Sequence, residues 1–456
     1  MNRIASRAWV AMVFVMILVA GMVFFLFEFN DNAQDWVLFS GSPHVYSGNK
    51  IKNGIVTDQS GVLLVDFSNG RSYAADETLR SAVLHWTGDR SGNISTPALY
   101  HYTAQMNGYD LLNGVYSYAD TAGEMMLTID EKVQQTALEA MGDRKGTVAV
   151  YNYKTGQILC AVSTPTFDPD NVPDITGDET GRYNGVYVNR FIQSVYIPGS
   201  IFKIATTAAA LETIPDIMVQ SFVCTGELEI DGGKVTCESS HGKQNLRQAF
   251  SNSCNCAYAQ ITRQIGKEKM AWYIRSFGLT DPVCFDGITT AKGNYDVANA
   301  TALNFAWSGI GQHTNQINPC AFMTFVGAIA GDGIGAVPHI VEKTSVGDET
   351  TYSAKTEKMD RILSGATARV LQELLQNNTQ VKYGSDNFPG LTVCAKSGTG
   401  EVGGDKKPNA MFTGFVADEK YPLAFIVAVE EGGYGSHTCI PILKEVLDAC
   451  VEAIDG

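Results

Sequence analysis

A serine and a lysine three positions apart, Ser200 and Lys203, stand directly after the turn dipeptide Pro198-Gly199. The run that follows, Ile201 to Glu212, is rich in helix formers and apolar on nearly every face, so it reads as a buried helix. Ser200 falls in its first turn, near the positive end of the helix dipole. A spacing of three puts both side chains on one face. A buried lysine must be paired or lose its proton. An unprotonated amine within reach of a serine hydroxyl is a general base that makes an alkoxide nucleophile. Ser-x-x-Lys alone also describes a capping serine beside a snorkelling lysine. The pattern needs partners.

Two partners follow in order, Ser253-Cys254-Asn255 and Lys396-Ser397-Gly398-Thr399. Each alone suits a helix start or an ordinary strand. The ordered set resembles the active site of penicillin-binding proteins and serine β-lactamases. Asn189-Arg190, Tyr196-Ile197-Pro198, Leu127-Thr128-Ile129-Asp130 and the stretch from Thr155 to Pro169 look like the framing segments of penicillin-binding transpeptidases. Gly54 to Leu64 resembles the signature that opens the non-catalytic domain of class B, monofunctional penicillin-binding proteins. Asn53 and Gln59 stand where that family usually carries arginines. The resemblance spans roughly Gly54 to Ala453 and points to the penicillin-binding protein A and division-and-elongation transpeptidase branch.

The resemblance implies a role for each motif residue. Ser200 attacks a carbonyl carbon and Lys203 takes its proton. The backbone N–H groups of Ser200 and Thr399 form the oxyanion hole. Ser253 relays a proton to the leaving amine, and Asn255 holds the substrate backbone. Lys396 supplies positive charge for a terminal carboxylate, aided by the Ser397 and Thr399 hydroxyls. Gly398 lets its strand approach the substrate closely. The implied substrate is the D-Ala-D-Ala end of a peptidoglycan stem peptide, with no bound cofactor. β-Lactams would trap Ser200, and a SEDS-type membrane glycosyltransferase is the implied partner. A D,D-carboxypeptidase, a β-lactam sensor and a non-enzymatic scaffold of the wall machinery are the rival readings. The pre-catalytic segment and the unbroken motifs argue against them.

These residues need a scaffold. The implied fold is α/β, an antiparallel sheet flanked by helices plus a mostly helical lobe. A single transmembrane helix and a small, mainly-β N-terminal domain precede it. Residues 1–29 read as cytoplasmic N-terminus and anchor, 30–124 as a short non-catalytic pedestal, and 125–456 as the transpeptidase domain. Trp9 to Phe27 is uninterrupted apolar sequence, long enough to span a bilayer. Arg3 and Arg7 precede it and Glu28, Asp31 and Asp35 follow, which predicts an extracytoplasmic catalytic domain. Helices are expected over 130–141, in part of 246–265, and over 319–330, 366–377 and 440–454. Strands are expected over 146–153, 157–162, 391–400, 410–417 and 423–429. His339 reads as structural. The net charge of −15 argues against nucleic-acid binding.

Ten cysteines are many for a chain placed outside the membrane. Cys160 and Cys394 fall in expected core strands. Cys224 and Cys237 bracket the turn Asp231-Gly232-Gly233, so a hairpin would bring them side by side. A Cys224–Cys237 disulfide is the first expectation. A metal site formed by Cys224, Cys237, His241 and Cys254, or unpaired thiols, are the alternatives.

Overall fold

The structure is a computed structural model that describes residues 2–37, 46–47, 50–51, 54–68, 70–107, 109–110, 114–115 and 123–456. Its centre is a five-stranded sheet. The spatial order is Ile158–Thr164, Gly146–Asn152, Leu423–Val429, Asn409–Val416 and Val393–Gly400, with every neighbouring pair antiparallel. Its inner strands read as unbroken apolar runs because both faces are covered. Val148, Val150, Phe425 and Val427 point into one cluster, with Val133, Leu443 and Val446 of the helices Glu131–Met141 and Gly435–Asp455. Their neighbours Ala149, Tyr151, Ala424 and Ile426 point into the other, against Phe322 and Phe325 of the helix Pro319–Ala330. That is the two-residue alternation of a strand, read on both sides. Helix Pro319–Ala330 is apolar all round, and nearly every residue in it is buried, as such a helix requires.

The lobe beside the sheet is mostly helical, and 246–265 is helical in part, as expected. The stretch 246–265 is two helices, Leu246–Ser251 and Asn255–Ile265. The break falls on Ser253, whose φ of 49° is left-handed and ends the first helix. The closing helix starts at Gly435 rather than at 440, and it carries Pro441 inside. A side chain at Gly435 would strike the carbonyls of Gly398 and Met411, so only glycine lets the helix start this close to the sheet.

A second sheet has six strands, in the order Glu349–Ser353, Val341–Val346, Gly123–Leu127, Ile55–Thr57, Leu63–Asp66 and Ser72–Tyr73. It draws strands from both sides of position 124. Between residues 54 and 107 the chain also forms four short helices, so this segment is less purely β than expected. Arg80 grips Asp168 in a two-pronged ion pair of 2.5 and 2.7 Å, tying the segment to the irregular stretch after the strand Ile158–Thr164. Gln59 donates to the Asp130 carboxylate at 3.0 Å, a neutral link at one of the two positions where the family usually has arginine. Asn53, the other position, lies outside the described residues. At the N-terminus a helix runs Asn2–Val37, and its part Ile4–Ala33 is long and apolar enough to cross a membrane. Trp9, Phe14, Leu18 and Phe24 on it are more than half exposed.

Candidate active site

The serine helix opens with one tight turn. Gly199–Phe202 is 3₁₀ helix, and α-helix follows from Lys203 to Thr213. In a three-residue turn positions i and i+3 eclipse, which aims the Lys203 side chain straight at Ser200. Lys203 Nζ lies 3.0 Å from Ser200 Oγ. The same nitrogen lies 2.8 Å from Asn255 Oδ1, 2.5 Å from the Ser253 carbonyl and 3.1 Å from Ser253 Oγ. Lys203 is wholly buried. Burial, and then the nearby charge of Lys396, hold its ammonium well below the usual lysine range. A neutral amine has two N–H groups, which suit the Ser253 carbonyl and Asn255 Oδ1, the two nearest oxygens of the Ser-x-Asn turn. Its lone pair is then free for the Ser200 hydroxyl.

Ser253 sits between two lysines. Lys396 Nζ is 3.1 Å from Ser253 Oγ and donates to the Ser397 carbonyl at 3.0 Å. Burial first, and the charge of Lys382 second, bring Lys396 down to about 7. Ser200, Lys203, Ser253 and Lys396 therefore form one connected chain of proton-carrying groups. Asn255 is fixed at its other end, where Nδ2 donates to the Thr236 carbonyl at 2.8 Å.

The opposite wall is the strand Val393–Gly400, the edge of the five-stranded sheet. A Cβ on Gly398 would come within 2.6 Å of the Pro198 carbonyl and 3.0 Å of the Ile201 nitrogen. Glycine is what lets the strand close onto the serine turn. Gly199, at φ 54°, would likewise strike the Thr399 carbonyl. Alternate residues of an edge strand offer their N–H and C=O outward. Here the outward groups of Ala395 and Ser397 are taken by side chains. Thr379 Oγ1 accepts the Ala395 N–H and Asn378 Nδ2 donates to its carbonyl. Tyr383 Oη accepts the Ser397 N–H at 2.7 Å and donates to Ser397 Oγ at 2.9 Å. Thr399 continues the same parity, beside the serine turn. Ser200, Ser253, Asn255, Ser397, Gly398 and Thr399 all line one cleft of about 660 Å³.

All eight motif residues thus meet. Tyr383, Asn378 and Thr379 belong to no motif and were not foreseen. Nothing in the sequence around them distinguishes them from ordinary helix-end residues. Trp307 and Tyr434 add aromatic surface to the cleft. His339 stands away from it, with Nε2 3.6 Å from Glu342.

The model of the penicillin-binding protein transpeptidase domain matches residues 146–448. The chain belongs to that family. The peptidoglycan D,D-transpeptidase PbpA of Mycolicibacterium smegmatis is 29% identical over 338 residues, 68% of this chain and 68% of its own length. PbpA of Mycobacterium tuberculosis is 28% identical over 360 residues, 72% of this chain and 73% of that one. Among solved structures, penicillin-binding protein A from M. tuberculosis, as its ceftriaxone acyl-enzyme complex, superimposes with a TM-score of 0.75 at 25% identity. It covers 87% of this chain and 98% of that one. The penicillin-binding transpeptidase fold is shared over nearly the whole of the solved relative.

One expectation is corrected. Cys224 and Cys237 are not joined, and all ten cysteines are free thiols. The hairpin forms, pairing Glu227–Ile230 with Gly233–Thr236 around an Asp231-Gly232 tip. However, Cys224 Sγ faces His241 Nδ1 at 3.5 Å, and Cys237 Sγ faces Cys254 Sγ at 3.7 Å. Each sulfur is drawn to a neighbour outside the hairpin.

Proposed function

We propose that this protein is a membrane-anchored peptidoglycan D,D-transpeptidase that works through a serine acyl-enzyme. The observation that carries the proposal is the wholly buried Lys203 amine, 3.0 Å from Ser200 Oγ and within reach of both Ser253 and Asn255. Ser200 Oγ attacks the carbonyl of the penultimate D-Ala of a stem peptide while Lys203 takes its proton. The backbone N–H groups of Ser200 and Thr399 receive the oxyanion. The Ser253 hydroxyl passes a proton to the departing D-Ala amine and draws its own from the lysine beside it. Lys396, with the Ser397 and Thr399 hydroxyls, holds the terminal carboxylate. The amide of Asn255 holds the donor backbone. An amine from a neighbouring stem then attacks the ester and regenerates Ser200.

The apolar helix supports a single-pass anchor. Arg3 and Arg7 before it and Glu28 and Asp31 after it support an extracytoplasmic catalytic domain. In this reading residues 1–29 are the anchor, 30–124 a pedestal and 125–456 the enzyme. The likeness to class B proteins supports a SEDS-type membrane glycosyltransferase as the partner that supplies glycan strands. The test is covalent labelling with a fluorescent penicillin. Wild type should label on Ser200, and Ser200→Ala should lose the label entirely while still melting cooperatively. Persistent labelling of that variant would sink the assignment. Products formed with an added acceptor amine, rather than hydrolysis alone, separate the transpeptidase from a carboxypeptidase.

A further inference from the structure

Three cysteines and a histidine converge beside the Ser-x-Asn turn. The ligand atoms of Cys224, Cys237, His241 and Cys254 all lie within 4.8 Å of one another. Two edges of that tetrahedron are 3.7 Å, Cys237 Sγ to Cys254 Sγ, and 3.5 Å, Cys224 Sγ to His241 Nδ1. Zinc at its usual bond lengths and tetrahedral angles spaces two sulfurs by about 3.8 Å and a sulfur and a nitrogen by about 3.6 Å. The observed edges match both.

The surroundings are those of thiolates and an oriented imidazole. Cys237 Sγ accepts the backbone N–H of Asn255 at 3.0 Å and of Cys256 at 3.4 Å. Cys254 Sγ accepts the N–H of Ala257 at 3.4 Å. These amides open the eleven-residue helix Asn255–Ile265, so its positive end is turned on two of the sulfurs. His241 Nε2 lies 3.3 Å from Ser239 Oγ. In the tautomer whose Nε2–H donates to that hydroxyl, Nδ1 is free as a ligand. Three thiolates and one imidazole are a soft, closed donor set that selects zinc over magnesium or calcium.

We propose that Cys224, Cys237, His241 and Cys254 bind one structural zinc ion that fixes the Ser253-Cys254-Asn255 turn against the hairpin Glu227–Thr236. The placement gives the ion its purpose. Cys254 is the middle residue of the turn, flanked by Ser253 and Asn255. Ser253 is held at a left-handed φ that most residues avoid. Thr236, next to Cys237, accepts the Asn255 side-chain amide. A zinc ion therefore pins three separated pieces of chain, and those pieces carry both polar groups of the turn that face Lys203. The ion touches no reacting atom. It acts as a positioning group.

The test uses the full chain in detergent, purified without added metal. Elemental analysis should find about one zinc per chain, and Ser200→Ala should retain it, which separates this proposal from the acyl-transfer reading. Cobalt(II) in its place should give the thiolate-to-metal charge-transfer absorption of a tetrahedral sulfur-rich site. Cys237→Ser and the milder His241→Gln should each lose the metal, whereas Cys160→Ser, a core thiol elsewhere, should keep it. Stripping with a chelator should slow fluorescent-penicillin acylation by about ten- to a hundredfold, the usual scale for a disturbed metal shell. Zinc should restore the rate, and magnesium should not. Metal-free protein whose Cys224, Cys237 and Cys254 thiols all alkylate freely would overturn the site. A Cys237–Cys254 disulfide found by intact mass would overturn it as well. Zinc whose removal left acylation unchanged would overturn its positioning role.

Discussion

One wall of the cleft is built from turns, the other from a strand. The first carries Ser200, Lys203, Ser253 and Asn255 on a 3₁₀ turn and on a break between two helices, with Gly199 and Ser253 both at positive φ. The second carries Lys396, Ser397, Gly398 and Thr399 in regular register with the strand beside it. Turns can aim side chains from several directions at one atom, as four contacts to Lys203 Nζ require. A strand presents evenly spaced backbone groups, which suits holding an extended peptide. The two lysines follow the same division. Lys203 is enclosed by its own wall, and burial works against its charge. Lys396 is buried too, yet at about 7 it still takes up a proton near neutrality, and a bound carboxylate would favour that charge.

Breaking the turn wall should have the largest effect. Lys203→Arg keeps a cation but cannot accept a proton at working pH. Penicillin acylation should fall by at least about a hundredfold, the usual scale for a positioned base. A variant within a few-fold of wild type would point to a different base. Breaking the strand wall by overpacking comes next. Gly398→Ala must push the strand away from Pro198 and Ile201, which should cost about 1–3 kcal/mol of stability. A misplacement of that kind should slow acylation by up to about a hundredfold. Denaturant unfolding and labelling rates on the same sample would check both.

The pH profile separates the two lysines. Raising pH through the depressed pKa of Lys203 frees the base, so acylation should climb on the acid side. Above about 7 the free enzyme loses charge on Lys396, so the second-order rate should decline on the alkaline side. Lys396→Arg should keep the acid limb and abolish the alkaline one. A profile with both limbs unchanged would break the division between the lysines. Stability should move oppositely to the alkaline limb. Between about 7 and 10.5 the unfolded chain holds a proton that folded Lys396 has released, so stability rises with pH across that window.

The smallest effect is expected at the support of the strand wall. Tyr383→Phe removes the oxygen that receives the Ser397 N–H and reaches Ser397 Oγ. Loss of a buried partner should cost about 1–3 kcal/mol of stability. Acylation should slow only several-fold, and an unchanged melting temperature would show that the strand edge does not need this prop.

Much of the site was legible because its residues are chemically distinctive. A lysine in an apolar run, three residues after a serine, gained its meaning from the Ser-x-Asn and Lys-Ser-Gly motifs that follow it in order. The props were not legible. Tyr383 lies on a π-helical turn, Thr379–Tyr383, whose direction depends on the helix before it. That 246–265 is helical only in part was legible, but the position of the break was not, because a left-handed serine leaves no mark in composition. The hairpin at Asp231-Gly232 was readable from its turn dipeptide. The sulfur that faces Cys237 was not, because the place of Cys254 depends on where the helix Asn255–Ile265 docks. The six-stranded sheet was hidden for a similar reason, since Ile55–Thr57 and Gly123–Leu127 pair in parallel across a long stretch of chain.

That sheet also sets a schedule for folding. Gly123–Leu127 is made more than two hundred residues before Val341–Val346, its partner on the other side. Chains fold as they emerge, N-terminal parts first. For nearly half of synthesis the strand Gly123–Leu127 therefore waits with one flank of hydrogen-bonding groups unmatched, a template for a wrong partner. The Lys396 strand is later still. Nascent chains are exposed to this mispairing until Val341–Val346 is made, and they complete the Ser200 turn long before the strand Val393–Gly400 that closes onto it.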